Sequence, residues 1–159
     1  MDTDSSHPAR PNPAVKVAIV VLQLATVAGL AVDARIHFRL AAAYDQIRTH
    51  TLSQGDLFRA EGVGAIIAAV LVLVLRRTWV GLFAALVALG GLGAILLYRY
   101  VDVGAIGPLP SMYEPAWYPD KTNSAIAQAV AGVAALVLAV LVRRGARARS
   151  VRRTADPAE

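Results

Sequence analysis

Four long apolar stretches, at about 14–32, 57–75, 79–98 and 124–142, constrain this 159-residue chain more than any other feature. Each approaches the roughly 20 residues that a helix needs to cross bilayer hydrocarbon. A segment in that medium has to satisfy its own backbone N–H and C=O groups, and the helix does so within one segment. No proline interrupts any of the four, so unkinked helices are expected. The composition agrees, at 57% hydrophobic and 17% charged. Water-soluble domains run nearer half apolar and a quarter charged. The expected fold class is all-α, a four-helix transmembrane bundle. Lys16, near the start of the first stretch, can snorkel to the headgroups.

The connections differ in kind. Only Arg76, Arg77 and Thr78 separate the second stretch from the third, which forces an antiparallel hairpin. After the first stretch, Ile36, Leu40, Tyr44 and Ile47 recur at three or four residues, so the first helix is expected to run on beyond the bilayer. Ser53 to Asp56 reads as a turn and N-cap before the second helix. Between Arg99 and Asn123 lie four of the eight prolines together with several aromatic residues, a composition suited to an ordered outer loop. Asp120 to Ser124 offers an N-cap for the fourth helix. Residues 1–13 hold three prolines, two aspartates and two serines, and are expected to form a disordered cytoplasmic tail. Residues 143–159 read as a basic cytoplasmic tail.

Basic-residue asymmetry sets the orientation. The N-terminal tail, the hairpin and the C-terminal tail carry ten basic residues against six on the opposite face, and acidic residues lean the other way, four against seven. Both termini are therefore expected in the cytoplasm, with Trp79 and Trp117 at opposite interfaces. The stretch from Lys16 to Val32-Asp33-Ala34 has the outline of a signal peptide, but the helical pattern passes through the supposed cleavage point. Fourteen of the sixteen basic residues are arginine, and alanine and valine abound, which suggests a GC-rich bacterial coding bias and a plasma-membrane address.

Small residues at four-residue spacing occur in every span: Ala25 and Gly29, Gly64 and Ala68, Ala84 and Ala88, and Ala127, Ala131, Ala135 and Ala139. Helices in lipid associate by such close backbone approach, so a compact bundle follows. Gly90, Gly91 and Gly93 favour tight packing over local bending.

The candidate site lies at the outer face. Asp33, His37 and Tyr44 fall on one stripe of the extended first helix, with Arg35 and Arg39 on the other side. Glu61 enters the second span at similar depth. Ionisable groups where hydrocarbon begins are costly unless paired or wet, and so mark a site by default. Asp33 is expected to pair with His37, and Glu61 with Arg35 or Arg99; a solvated helix end with salt bridges is the plainer reading of the same residues. Tyr113, Glu114, Trp117 and Tyr118, among the prolines of the outer loop, are candidates to cap it, either as a pocket wall or as an interfacial anchor. Arg143, Arg144, Arg147, Arg149, Arg152 and Arg153 follow the fourth span directly and read as a contact with anionic lipid.

Several chemistries are excluded. Without cysteine there is no disulfide, thiolate catalysis or thiolate metal site. The spacing of His37 and the carboxylates matches no metal-ligand motif, His37 is the only histidine in a span and leaves haem ligation between spans without a second histidine, and no phosphate loop, zinc-protease helix or serine elbow occurs. The arginine run lacks the context that nucleic-acid binding needs. No catalytic residue, metal or cofactor is expected.

The chain resembles small four-span membrane proteins of GC-rich bacteria, on the strength of Asp33-Ala-Arg-Ile-His37 with Tyr44, Leu57-Phe58 and the Gly107–Tyr118 loop. More distantly it is similar to the DoxX-like group, four-helix proteins associated with membrane oxidoreductase systems. That resemblance implies a redox-complex component, with quinone at the Tyr113–Tyr118 cap. The residues themselves point to a non-enzymatic accessory or structural subunit whose outer cluster contacts a partner protein, a second copy or a small ligand. A small transporter or proton-coupled permease is the alternative. The topology is directly testable: reporters fused to the two ends should both report the cytoplasm, and opposite compartments would overturn the four-span reading.

Overall fold

A computed structural model describes residues 13–155, with side chains described through Val151. Residues 1–12 and 156–159, and the side chains of Arg152 and Arg153, lie outside that description, and with them most of the expected N-terminal tail. Among the described residues the chain forms four α-helices: α1 (Pro13–Ala41), α2 (Gln54–Val74), α3 (Thr78–Tyr100) and α4 (Pro119–Ala155). Each is long and apolar enough to cross a membrane. They pack as a ring, α1 against α2 and α4, and α3 against α4, while α2 and α3 lie more loosely side by side. Connections at 42–53 and 101–118 share one end of the bundle, called here the loop end. The α2–α3 hairpin, the start of α1 and the end of α4 share the other, the hairpin end.

The interior is built from small side chains and the periphery from large ones. Leu30, Ala65, Ala68, Val80, Ala84, Ala88, Ala131 and Ala135 are fully buried, whereas Leu24, Ile66, Leu73, Leu86 and Val133 project outward. Exposed leucine and valine in such numbers suit acyl chains, and alanine between helices lets backbones approach closely. Glycine takes this furthest at two crossings. A Cβ on Gly29 would come within 2.6 Å of the Ala127 carbonyl oxygen, and one on Gly81 within 2.9 Å of the Ala135 carbonyl oxygen. Both contacts are with α4, which is thereby clamped between α1 and α3. Of the three clustered glycines in α3, only Gly91 is packed; Gly90 and Gly93 have open space where a side chain would be. Tight packing is thus the role of one of the three, and α3 runs unbroken through all of them.

Helix ends depart from the sequence pattern in four places. After Ala41 the first helix tightens into a 3-10 turn at Ala42–Tyr44 and then stops, so Ile47 lies outside it. The cause is tertiary: α2 begins with Gly55 seated directly on the Ala41 carbonyl and the Asp45 side chain, leaving no room for a further turn. The second helix starts at Gln54, earlier than its apolar stretch, because Ser53 and Asp56 form a capping box. Ser53 Oγ accepts the Asp56 N–H at 3.0 Å and Asp56 Oδ2 accepts the Ser53 N–H at 3.0 Å. The fourth helix starts at Pro119 rather than beyond Asp120, since proline suits a first helical turn where its missing N–H costs nothing. It also continues through the basic segment to Ala155. At about 1.5 Å per residue a straight helix carries its backbone roughly 15 Å further between positions 143 and 153.

At the hairpin end, Gln23 donates to the Val72 carbonyl at 2.6 Å, satisfying one of the free carbonyls in the last turn of α2. Trp79 and Trp117 lie at opposite ends of the bundle, both substantially exposed.

The glycine crossings predict opposite outcomes for two substitutions. Gly29→Val should lower stability by about 1–3 kcal/mol through overpacking. Gly93→Ala, which meets nothing, should be neutral or gain up to about 1 kcal/mol in helix propensity. Thermal unfolding midpoints in detergent measure both; equal midpoints for the two variants would contradict the crossing geometry.

Candidate functional site

Asp33, on α1, is fully buried where α1 meets the first turns of α4. Ser124 Oγ donates to its Oδ1 at 2.6 Å, a bond spanning 91 residues of sequence. His37, one turn further along α1, places Nδ1 3.1 Å from the same carboxylate oxygen and 3.0 Å from the Asp33 backbone oxygen. The expected Asp33–His37 pair therefore forms. Two acceptors at Nδ1 favour the proton on that nitrogen whenever Asp33 is ionised. The arrangement is not a nucleophilic triad: the serine hydroxyl bonds the carboxylate, and no base faces it.

From His37 a line of rings leads to the 101–118 connection. The Phe58 ring stands edge-on to His37, with centroids 5.1 Å apart, and lies 5.0 Å from that of Tyr44. The Tyr44 and Tyr118 hydroxyls are 2.8 Å apart. Tyr118 lies just before α4, and its phenol is pushed up, first by burial and then by the bond to Tyr44. It stays neutral at any ordinary pH and keeps its hydrogen to donate.

His37, Phe58, Tyr118 and Ser124 border a cleft of about 630 Å³ at the loop end, lined by residues of all four helices and of the 101–118 connection. Its walls are mainly apolar, with Leu57, Phe58, Phe83, Val87, Ile95 and Met112 among them, and His37, Glu61, Glu114 and Tyr118 supply polar groups. Glu61 Oε1 is buried without a hydrogen-bond partner, and so are both amide atoms of Gln128, on α4. A Cβ on Gly91 would strike the Gln128 amide nitrogen and come within 2.7 Å of Glu61 Oε1, so this glycine lets an amide and a carboxyl from two helices converge on α3. Asp33 Oδ2 is likewise buried and unpartnered. Unpaired polar atoms in a low-dielectric interior are costly, on the order of 1–3 kcal/mol each.

Not every candidate belongs to this cleft. Glu61 forms an ion pair with neither Arg35 nor Arg99 among the described residues. Arg35 is exposed on the other side of α1 with Arg39, which pairs with Asp120. Arg99 stacks its guanidinium 5.1 Å from the Tyr100 ring and 5.9 Å from the Trp117 ring, with Nε buried and unpartnered. Within the loop, Glu114 and Tyr118 face the cleft together with Leu109 and Met112, while Tyr113 and Trp117 do not line it. Trp117 serves instead as a platform for Arg99 and Lys121. Arg143, Arg144, Arg147 and Arg149 are exposed along α4 beyond its apolar stretch. Among the described residues no three potential metal ligands converge.

Gly91 is legible in the sequence only as a packing glycine and Ser124 only as part of an N-cap, and Gln128 is a contributor that the sequence reading missed. Gln128 had a readable signal, being the only hydrogen-bonding side chain between Ser124 and Arg143.

The roof is anchored at several points. The Glu114 N–H donates to the Tyr98 carbonyl at 3.0 Å, and the buried Lys121 ammonium donates to the Glu114 backbone oxygen. Thr49 Oγ1 donates to the Pro108 carbonyl at 2.8 Å, joining the two loop-end connections. Arg59 grips Asp45 with both terminal nitrogens, at 2.8 and 2.7 Å.

Comparison with family models, with curated proteins and with solved structures gives no match to this chain.

The Arg59 fork lowers the Asp45 carboxyl from its ordinary value, with the Ser53 hydroxyl assisting. A depressed carboxyl contributes stability above its unfolded value, near 3.9, and loses it as pH falls through the lower folded value. Arg59→Gln should therefore melt below the parent chain at pH 6, and the gap should narrow as pH falls below about 3.9. A constant gap across that range would show that the pair is not the source.

Proposed function

We propose that this four-span membrane protein is a non-enzymatic binding subunit that holds a small amphipathic molecule in the loop-end cleft. The observation that carries this reading is the cleft's composition: mainly apolar walls from α1, α2 and α3, with an unpartnered Glu61 oxygen beside Gly91. Apolar pockets with a few convergent polar groups are the usual form of small-molecule sites. A molecule dissolved in the bilayer can enter between α2 and α3 and offer its polar end to His37 and Glu61. The ligand would then supply hydrogen bonds that these groups lack within the chain.

A binding role is favoured over a permease by the packing below the cleft. Toward the hairpin end the bundle closes on Ala65, Ala68, Ala84, Ala88, Ala131 and Ala135, all buried, so the cleft is a dead end. The DoxX-like reading, a component of a membrane redox complex, would place a quinone in this same cleft rather than on the Tyr113 and Trp117 side of the loop.

The test is extraction. Protein purified in mild detergent should carry one amphipathic compound, beyond bulk lipid, that appears by mass spectrometry of a solvent extract. Ala94→Trp, at an exposed position lining the cleft, should remove that compound while leaving the melting midpoint unchanged. An extract holding bulk lipid alone, or one unaffected by Ala94→Trp, would defeat the proposal.

A further inference from the structure

A second concavity, about 540 Å³, lies on the opposite side of the α1–α4 seam. It is back to back with the cleft, the two sharing only Ile36 and Asp120 in their linings. Its length runs between α1 and α4, where Ala25, Ala28 and Gly29 on one helix face Ala127 on the other. The close crossing at Gly29 brings the helices together, and the small residues beside it leave a trough flanked by Val32, Ile126 and Val130. This surface faces outward from the bundle, so in a bilayer acyl chains lie against it.

One end of the trough is polar, formed by Arg35, Arg39, Asp120 and Asn123. Arg39 pairs with Asp120, so those two charges offset one another. Arg35 is exposed and forms no ion pair among the described residues. The trough therefore ends in one uncompensated guanidinium, beside the Asn123 amide, at the level where the apolar surface of the bundle stops. Guanidinium presents a planar fork of donors that matches a phosphate bidentately. A zwitterionic lipid would bring its own ammonium group to the Arg35–Arg39 end, whereas an anionic one brings none.

We propose that the α1–α4 trough is a seat for one anionic phospholipid, its phosphodiester headgroup on Arg35 and one acyl chain laid along Ala28. The site is independent of the cleft and of what occupies it. It is also separate from the arginines of the basic segment, which lie at the opposite end of the bundle.

The test uses the full chain in detergent, stripped of lipid, with phosphatidylglycerol or phosphatidylcholine added back and adducts counted by native mass spectrometry. The parent chain should retain phosphatidylglycerol about fivefold better than phosphatidylcholine, the preference expected of one basic residue at an anionic headgroup. Arg35→Gln should abolish that preference. Ala28→Phe, which fills the trough at an exposed position and changes no charge, should lower retention of both lipids and leave no preference. Persistence of the preference in Ala28→Phe would place its origin in charges elsewhere and overturn the proposal, as would equal retention of both lipids by the parent chain. Soluble glycerol phosphate should not displace the bound lipid; displacement would mean that the headgroup alone is recognised and that no acyl seat exists.

Discussion

Close backbone contact between α4 and its two neighbours is the constraint on which the rest of this structure depends. Hydrocarbon gives apolar side chains little reason to leave lipid for one another, so helix association has to come from packing and polar bonds. Here α1 and α3 each present a glycine to α4, and α4 answers with alanines one turn apart. The resulting trio is tight. The second helix is held to α1, but against α3 it has the three-residue hairpin at one end and little packing at the other. The cleft is the space that this unequal packing leaves.

That geometry explains why polar residues can be buried at the loop end. The Ser124–Asp33–His37 group sits in the closely packed α1–α4 seam, where one hydrogen bond from each helix holds the carboxylate. Glu61 Oε1 and both amide atoms of Gln128, which meet at Gly91, have no such bonds.

The two loop-end connections convert this end into a roofed chamber. Each is fastened to a helix and to the other, through Arg59 on Asp45, Tyr98 on Glu114, Thr49 on Pro108 and Tyr44 on Tyr118. The prolines at 108, 110, 115 and 119 limit the conformations of the longer connection, and the tyrosine bond ties its last residue to the end of the first helix.

Span number, helix class, the hairpin and the Asp33–His37 pair were legible in the sequence by itself. They follow from the length of apolar runs, the absence of proline within them and the one-turn spacing of two residues on a helix, all of which are local. The Ser53 cap was legible for the same reason. What only the tertiary structure decided is which distant groups meet: Ser124 with Asp33, Glu61 with Gln128 at Gly91 rather than with Arg35 or Arg99, Arg59 with Asp45, and Glu114 with Tyr118 rather than Trp117 at the cleft. Hydropathy and periodicity specify that a residue lies on a helix, whereas its neighbours across the bundle depend on helix rotation and depth. Those are set by glycine and alanine contacts tens of residues apart.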